Sequence, residues 1–183
     1  LLAAARRLLV EKGYDRTTAR DLAAASGSHL GSIGYHFGSK DALMTEAAVL
    51  AQGEWGALID DALRAAAAGS PAERLRICID TLVNAIDQQR EILVASAESL
   101  SKAAHDENIR SALARVHGDA RVAFAALALG IDRDEVDPET ARGLGSLVHS
   151  MIIGLSMQAL IDRDSLPTGA QLAKSIRTLA GRD

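Results

Sequence analysis

The chain has 183 residues, 48% of them apolar and 24% charged, with a formal net charge of −4. That mix suffices for one or two small domains with a buried core, and it excludes collagen-like, low-complexity and wholesale disordered chains. Cys78 is the only cysteine. An internal disulfide framework and any multi-cysteine metal site are therefore excluded, and one reduced thiol fits the cytosol.

The first residues, Leu1 to Arg7, include no Met and no signal-peptide pattern. They read as a helix met in mid-course, so further residues are expected upstream of Leu1. Residues 1–40 hold six Lys/Arg and three acidic residues, a balance of +3, against −7 for the remainder. Three of the five aromatic residues, Tyr14, Tyr35 and Phe37, also lie there, with only Trp55 and Phe124 beyond. An acidic chain with one basic face can still bind nucleic acid, because counterion release depends on local phosphate contacts.

No hairpin signal and no strand-like alternation is present. Helix punctuation is abundant, and the chain reads as all-α with about nine helices, near 1–12, 19–25, 29–36, 40–67, 71–88, 90–103, 106–129, 138–162 and 168–180. Gly13 and Gly130 close the first and seventh. Thr18 caps the second, with Asp21 three residues on. Ser70-Pro71-Ala72-Glu73 and Asp137-Pro138-Glu139 each join a capping residue to a proline at the first helical position.

The second and third helices, separated by Ser26-Gly27-Ser28, form a helix-turn-helix candidate. Gly27 supplies the left-handed turn, while Leu22, Ala23 and Ile33 make the small shared core. The second helix of such a unit enters the major groove. Gly13-Tyr14, Thr17-Thr18, Asp21-Leu22-Ala23, Gly27, Gly31, Tyr35-His36-Phe37, Ser39-Lys40 and Leu43 follow in one order. In these residues, within about 1–55, the chain resembles the TetR family of bacterial transcriptional regulators. It looks most like the members whose recognition helix ends Ile-Gly-Tyr-His-Phe-Gly-Ser-Lys, here Ile33 to Lys40, and Trp55 also fits that group.

The resemblance implies a helix-turn-helix DNA-binding domain at 1–47 and an effector-binding and dimerisation domain at 48–183. Thr18, Arg20, Tyr35, His36 and Lys40 are the expected phosphate-side contacts, with His29, Leu30 and Ser32 facing bases. Thr18 is equally a plain N-cap, and His36 equally a packed hinge residue. Phe37 is expected in the core. Three positions depart from the family pattern: Ser28 stands for the usual Val, His29 for the usual Ser cap, and Gly34 for a common Tyr. Ser28 is expected to take over the cap.

Residues 144–161 are apolar on more than one side, so that helix must be buried on more than one side. Leu144, Leu147, Val148, Met151, Ile152 and Leu155, joined by Leu172 and Ile176 of the last helix, form the expected homodimer interface. The 18-residue run from Leu144 to Ile161 approaches spanning length. His149, Gln158 and three serines within it, and the absence of another such run, favour a buried soluble helix over a membrane span.

Polar residues on otherwise apolar helices mark the expected effector pocket: Thr81, Asn84, Glu98, Ser99, His149 and Gln158, with Trp55 as a wall. Each has a plainer role open to it, such as a solvated Glu98, a His149 bonded across the dimer, or a Trp55 in the core. With so few aromatics, an aliphatic or modest-sized effector fits better than a large flat one. No phosphate-binding, hydrolase or zinc-protease motif is present, so no catalysis, cofactor or metal is expected. Cys78, within Arg76-Ile77-Cys78-Ile79, reads as an inert core thiol. The resulting expectation is a cytoplasmic homodimeric repressor that binds a palindromic operator in double-stranded DNA and is released by a small molecule.

Overall fold

The computed structural model describes residues 1–66 and 69–181, with the backbone alone at Gln52 and at 54–56. Among the described residues there are nine helices and no strands. They are α1 (Leu2–Lys12), α2 (Ala19–Ser26), α3 (Gly31–Phe37), α4 (Lys40–Ala65), α5 (Pro71–Ala85), α6 (Arg90–Ala103), α7 (Glu107–Leu129), α8 (Pro138–Ile161) and α9 (Gly169–Leu179).

Local chemistry accounts for most boundaries. Gly13 ends α1 at φ 83, its N–H donating to the carbonyls of Leu8 and Leu9. Ser70 and Asp137 accept backbone N–H bonds at the starts of α5 and α8, each followed by proline. Thr168 and Gln171 form a reciprocal capping box at α9. The third helix starts later than the expected residue 29, at Gly31. Neither Ser28 nor His29 caps it, and Leu30 before it is already helical (φ −54, ψ −39) with no side-chain cap. The fifth ends in a tighter 3₁₀ turn, Ile86–Gln89.

The chain divides into two compact units. The first comprises residues 1–54 and 89–116. Leu9, Tyr14, Leu22, Ile33, Leu43, Met44 and Ala47 cluster in its core with Ile92 and Ala95 of α6, and Phe37 packs half-buried against them. This unit is thus larger than a three-helix head, since α6 supplies part of the same core. A buried polar chain runs through it. The Tyr14 hydroxyl donates to the Asp41 carbonyl (2.8 Å) and lies 3.1 Å from Thr45 Oγ1. Thr45 donates to Ser99 Oγ (3.2 Å), which donates to the Ala95 carbonyl (2.8 Å). Burial pushes the Tyr14 phenol up to about 12.

The second unit comprises residues 55–88 and 117–183. Ile59, Leu63, Leu75, Ile79, Leu82, Ala125, Val148, Ile152, Leu155 and Ala173 are among its buried residues. Two glycines set its closest helix contacts. A Cβ on Gly145, in a π-helical turn of α8 (Ala141–Gly145), would lie 2.1 Å from the Arg121 carbonyl oxygen of α7. A Cβ on Gly169 would lie 2.2 Å from the Arg76 carbonyl oxygen of α5. The Gly169 N–H also donates to Asp80 Oδ1 (2.8 Å), and Asp80 in turn accepts from Arg76 (3.1 Å).

Three of the expected interface residues are covered within the single chain. Val148, Ile152 and Leu155 are 3–8% exposed within the single chain, because the second unit's own core occupies that side of α8. Leu144, Met151, Leu172 and Ile176 are half-buried, and Leu147 is 55% exposed. Among the described residues α8 is the one helix long and apolar enough to cross a membrane, and a third of its most apolar window is buried inside the chain.

Candidate nucleic-acid interface

The N-terminal helices hold a small tip on a fixed base. Thr18 and Asp21 form a reciprocal capping box at α2: Asp21 N–H donates to Thr18 Oγ1 (3.1 Å), and Thr18 N–H donates to Asp21 Oδ2 (2.8 Å). The Thr18 hydroxyl itself donates to Asp21 (2.7 Å), so its proton is already committed. Lys12 Nζ lies 2.6 Å from the same carboxylate. The Lys12 hydrogen bond, then those from Thr18, holds Asp21 well below the usual carboxylate range. Leu22 N–H bonds to the Thr18 carbonyl. The Ala19 and Arg20 N–H groups therefore remain as donors for an external acceptor at this helix start.

Gly27 turns the chain in the left-handed conformation (φ 65, ψ 21) between α2 and α3. Leu22 (0% exposed) and Ile33 (3%) then close the shared core. The opposite side of α3 is uncovered. His29, Leu30, Gly31, Gly34, Tyr35 and His36 are exposed, Ser32 is half-buried, and Tyr35 reaches 86% exposure. Tyr35 and His36 stack edge to face at 4.8 Å.

The basic residues divide into engaged and free. Arg7 donates to the Ala25 carbonyl at the end of α2 (3.3 Å), and Arg16 to the Lys12 carbonyl (2.6 Å). Lys40, expected on phosphate, is turned back onto the protein. Its ammonium lies 3.0 Å from Asp41 and 5.1 Å above the Tyr14 ring, with the side chain 23% exposed. Lys102 sits over the same ring and 3.6 Å from both Asp15 and Asp41. Arg20 is exposed and has no ion-pair partner among the described residues.

The expected effector-pocket residues are divided between the two units. Ser99 is 2% exposed and its hydroxyl is engaged in the polar chain of the first unit. Glu98, in the same unit, is half-buried, with Oε2 lacking a hydrogen bond. Burial, then the nearby Asp15 charge, raises its carboxyl. In the second unit Asn84 and Gln158 are exposed and Thr81 half-buried. His149 stacks on Phe124 (5.5 Å) beside His117 (4.9 Å). Burial, then the charges of His117 and Arg121, brings His149 down to about 4. The side chain of Trp55 lies outside the described residues.

A cleft of about 760 Å³ does open in the second unit, lined by Asp60, Arg64, Arg74, Ala126, Gly130 and Arg133 among others. None of the expected residues whose side chains are described borders it. The Arg74 guanidinium packs where a Cβ of Gly130 would stand, 2.6 Å from that position. Sequence reading passed over Arg74 because a charge near a helix end ordinarily marks a solvated face. Among the described residues no group of three His, Cys, Asp or Glu is placed to hold a metal ion. Cys78 is fully buried, its thiol pushed up to about 12 by burial.

Comparison with known proteins gives this arrangement its class. Residues 1–47 match the family of bacterial regulatory proteins of the tetR type, and residues 71–181 match the C-terminal domain of BetI-type transcriptional repressors. The chain belongs to the TetR family of transcriptional regulators, with a helix-turn-helix DNA-binding domain and a larger helical C-terminal region. Solved structures agree on the fold. A candidate transcriptional regulator from Streptomyces coelicolor A3(2) is 27% identical over 97% of this chain and 94% of its own, with a TM-score of 0.64. TetR regulators from Rhodococcus sp. RHA1 and from Haloarcula marismortui are each 23% identical with TM-scores of 0.65. They align over 97% and 95% of this chain and 91% and 92% of theirs. None of the curated proteins compared matches the sequence.

Proposed function

We propose that the chain is a dimeric repressor that sets two copies of α3 into successive major grooves of a palindromic operator and lets go when a small molecule binds. The observation that carries this reading is the tip of α3. Its inner side is locked by Ile33 and Phe37, while the outer side from His29 to Tyr35 is uncovered. On this reading Arg20 and the free N–H groups at the start of α2 hold a phosphate, with Thr18 shaping that start. Tyr35 and His36 reach the backbone, and His29, Leu30 and Ser32 meet base edges. Lys40 adds a phosphate contact only after leaving Asp41.

Residues 1–47 then act as the DNA-contacting domain and 48–183 as the effector and dimerisation domain. Only a third of the apolar window of α8 is buried in the single chain, and Leu147 and Ile161 of α8 and Leu179 of α9 are exposed. Surfaces of this kind favour a self-complementary partner. Leu144, Leu147, Met151, Leu172 and Ile176 remain the candidate interface residues. The cleft in the second unit has the volume of a small-molecule site. Its occupant must bind the DNA-incompetent geometry more tightly, since equal affinity shifts nothing. The protein works in the cytoplasm without catalysis, cofactor or metal.

The test is selection from a randomised duplex library, followed by affinity measurement across salt. Inverted repeats should be enriched, and log K should fall with log salt with a slope of several units. Tyr35→Ala should weaken binding roughly tenfold across sequences, for one lost hydrogen bond to a charged acceptor. Lys40→Ala should weaken it less, because the ion pair with Asp41 must first be broken. No enrichment, together with a flat salt response, would overturn the reading.

A further inference from the structure

We propose that α3 reads the operator chiefly through thymine C5-methyl groups, with Leu30 as the reading side chain. The proposal rests on the DNA-binding reading above and names the chemical group that reading leaves open. It starts from what the tip lacks. Residues 28–37 contain no Arg, Lys, Asn or Gln. Those are the side chains that make bidentate bonds to guanine or adenine, the pairs that carry most direct readout. His29 and Ser32 can each make single bonds, which several bases accept.

The tip instead offers an apolar group and bare backbone. Leu30 is 51% exposed immediately before the first turn of α3. Counting about 100° per residue from the buried Ile33, Leu30, Gly34, Gly31 and Tyr35 follow one another round a single uncovered arc of α3, with Leu30 at the edge about 60° from Ile33. A Cβ added at Gly31 or Gly34 would meet no protein atom within 4 Å, so the protein's own packing does not require glycine there. Neither residue has positive φ, so backbone conformation does not require it either. Two glycines on the groove-facing side let the helix backbone descend further than side chains would permit. That depth carries the Leu30 methyl groups to the edge where thymine presents its own methyl. Contact between them removes apolar surface from water on both partners, and it discriminates T from C, which lacks the methyl.

The test uses the best duplex from a randomised library and its copies with single thymines replaced by deoxyuridine, which removes the methyl and leaves pairing unchanged. For the unaltered protein, replacement at one position in each half-site should weaken binding about fourfold per methyl and about fifteenfold for both. Leu30→Ala should bind the thymine and deoxyuridine duplexes equally. Its thermal transition should stay cooperative, since Leu30 is outside the core. Equal affinity of the unaltered protein for both duplexes at every position would overturn the inference and leave operator binding standing. So would a Leu30→Ala protein that keeps the same thymine preference. If the library yields no enriched sequence and the salt response is flat, the operator-binding reading fails, and this inference fails with it.

Discussion

Single residues in the first unit do two jobs at once. Thr18 starts α2 and shapes the donor groups beside Arg20. Thr18→Ala should cost about 1 kcal/mol in urea unfolding, the usual loss of a capping side chain. Asp21 links that cap to Lys12. Its depressed folded-state pKa means its contribution is whole above the unfolded carboxylate pKa and is lost as pH falls through the folded one. His149 titrates in a different window. Its folded pKa of about 4 lies below the ordinary imidazole value, so the unfolded chain binds the extra proton first. Stability should therefore fall as pH drops from about 6.5 to about 5, above the range of most carboxylates. His149→Phe, which keeps a ring on Phe124, should flatten that slope in urea melts, leaving the smaller share of His117. Gly31→Ala separates fold from function. It should leave stability equal or raise it by about 0.5 kcal/mol, through lower unfolded-state entropy. It should also weaken duplex binding, because the added methyl occupies the gap facing the groove. Unchanged affinity would show that the backbone does not approach so closely.

At the scale of helices, what could be read from the sequence was what local chemistry decides. Prolines at Pro71 and Pro138, and the caps at Thr18, Ser70 and Asp137, mark starts that the structure reproduces. The start of α3 differs from the expected one because no side chain caps it, so no residue type in the sequence marks it. The inward side of α8 was illegible for a related reason. A helix apolar all round carries no periodic signal for which side meets its own chain, so Val148, Ile152 and Leu155 looked as free as Leu147. Ser99 is polar on an apolar helix because it bonds back to Ala95 and across to Thr45, a use indistinguishable in sequence from lining a cavity. In the structure Gly145 and Gly169 each admit a neighbouring carbonyl, a closeness that no local sequence pattern marks. Alanine at either position forces two backbones apart and should destabilise the second unit by about 1–3 kcal/mol in thermal or urea unfolding.

At the scale of the molecule, burial separates two substitutions that look alike on paper. Leu147→Asp places a charge on the open side of α8 and should give a folded monomer by sedimentation and circular dichroism. Ile152→Asp buries an unpaired carboxylate in the second unit's interior and should instead lose cooperative unfolding. A dimer that survives Leu147→Asp would move the interface elsewhere.

The buried hydroxyl chain from Tyr14 through Thr45 to Ser99 has a practical consequence for building hybrid regulators. A transplant of residues 1–47 alone onto a foreign sensor would leave behind Ile92, Ala95 and Ser99, opening the hydrophobic floor under Leu9 and Tyr14. The portable module is the whole first unit, and working chimeras will be those that carry residues 89–116 along with residues 1–54.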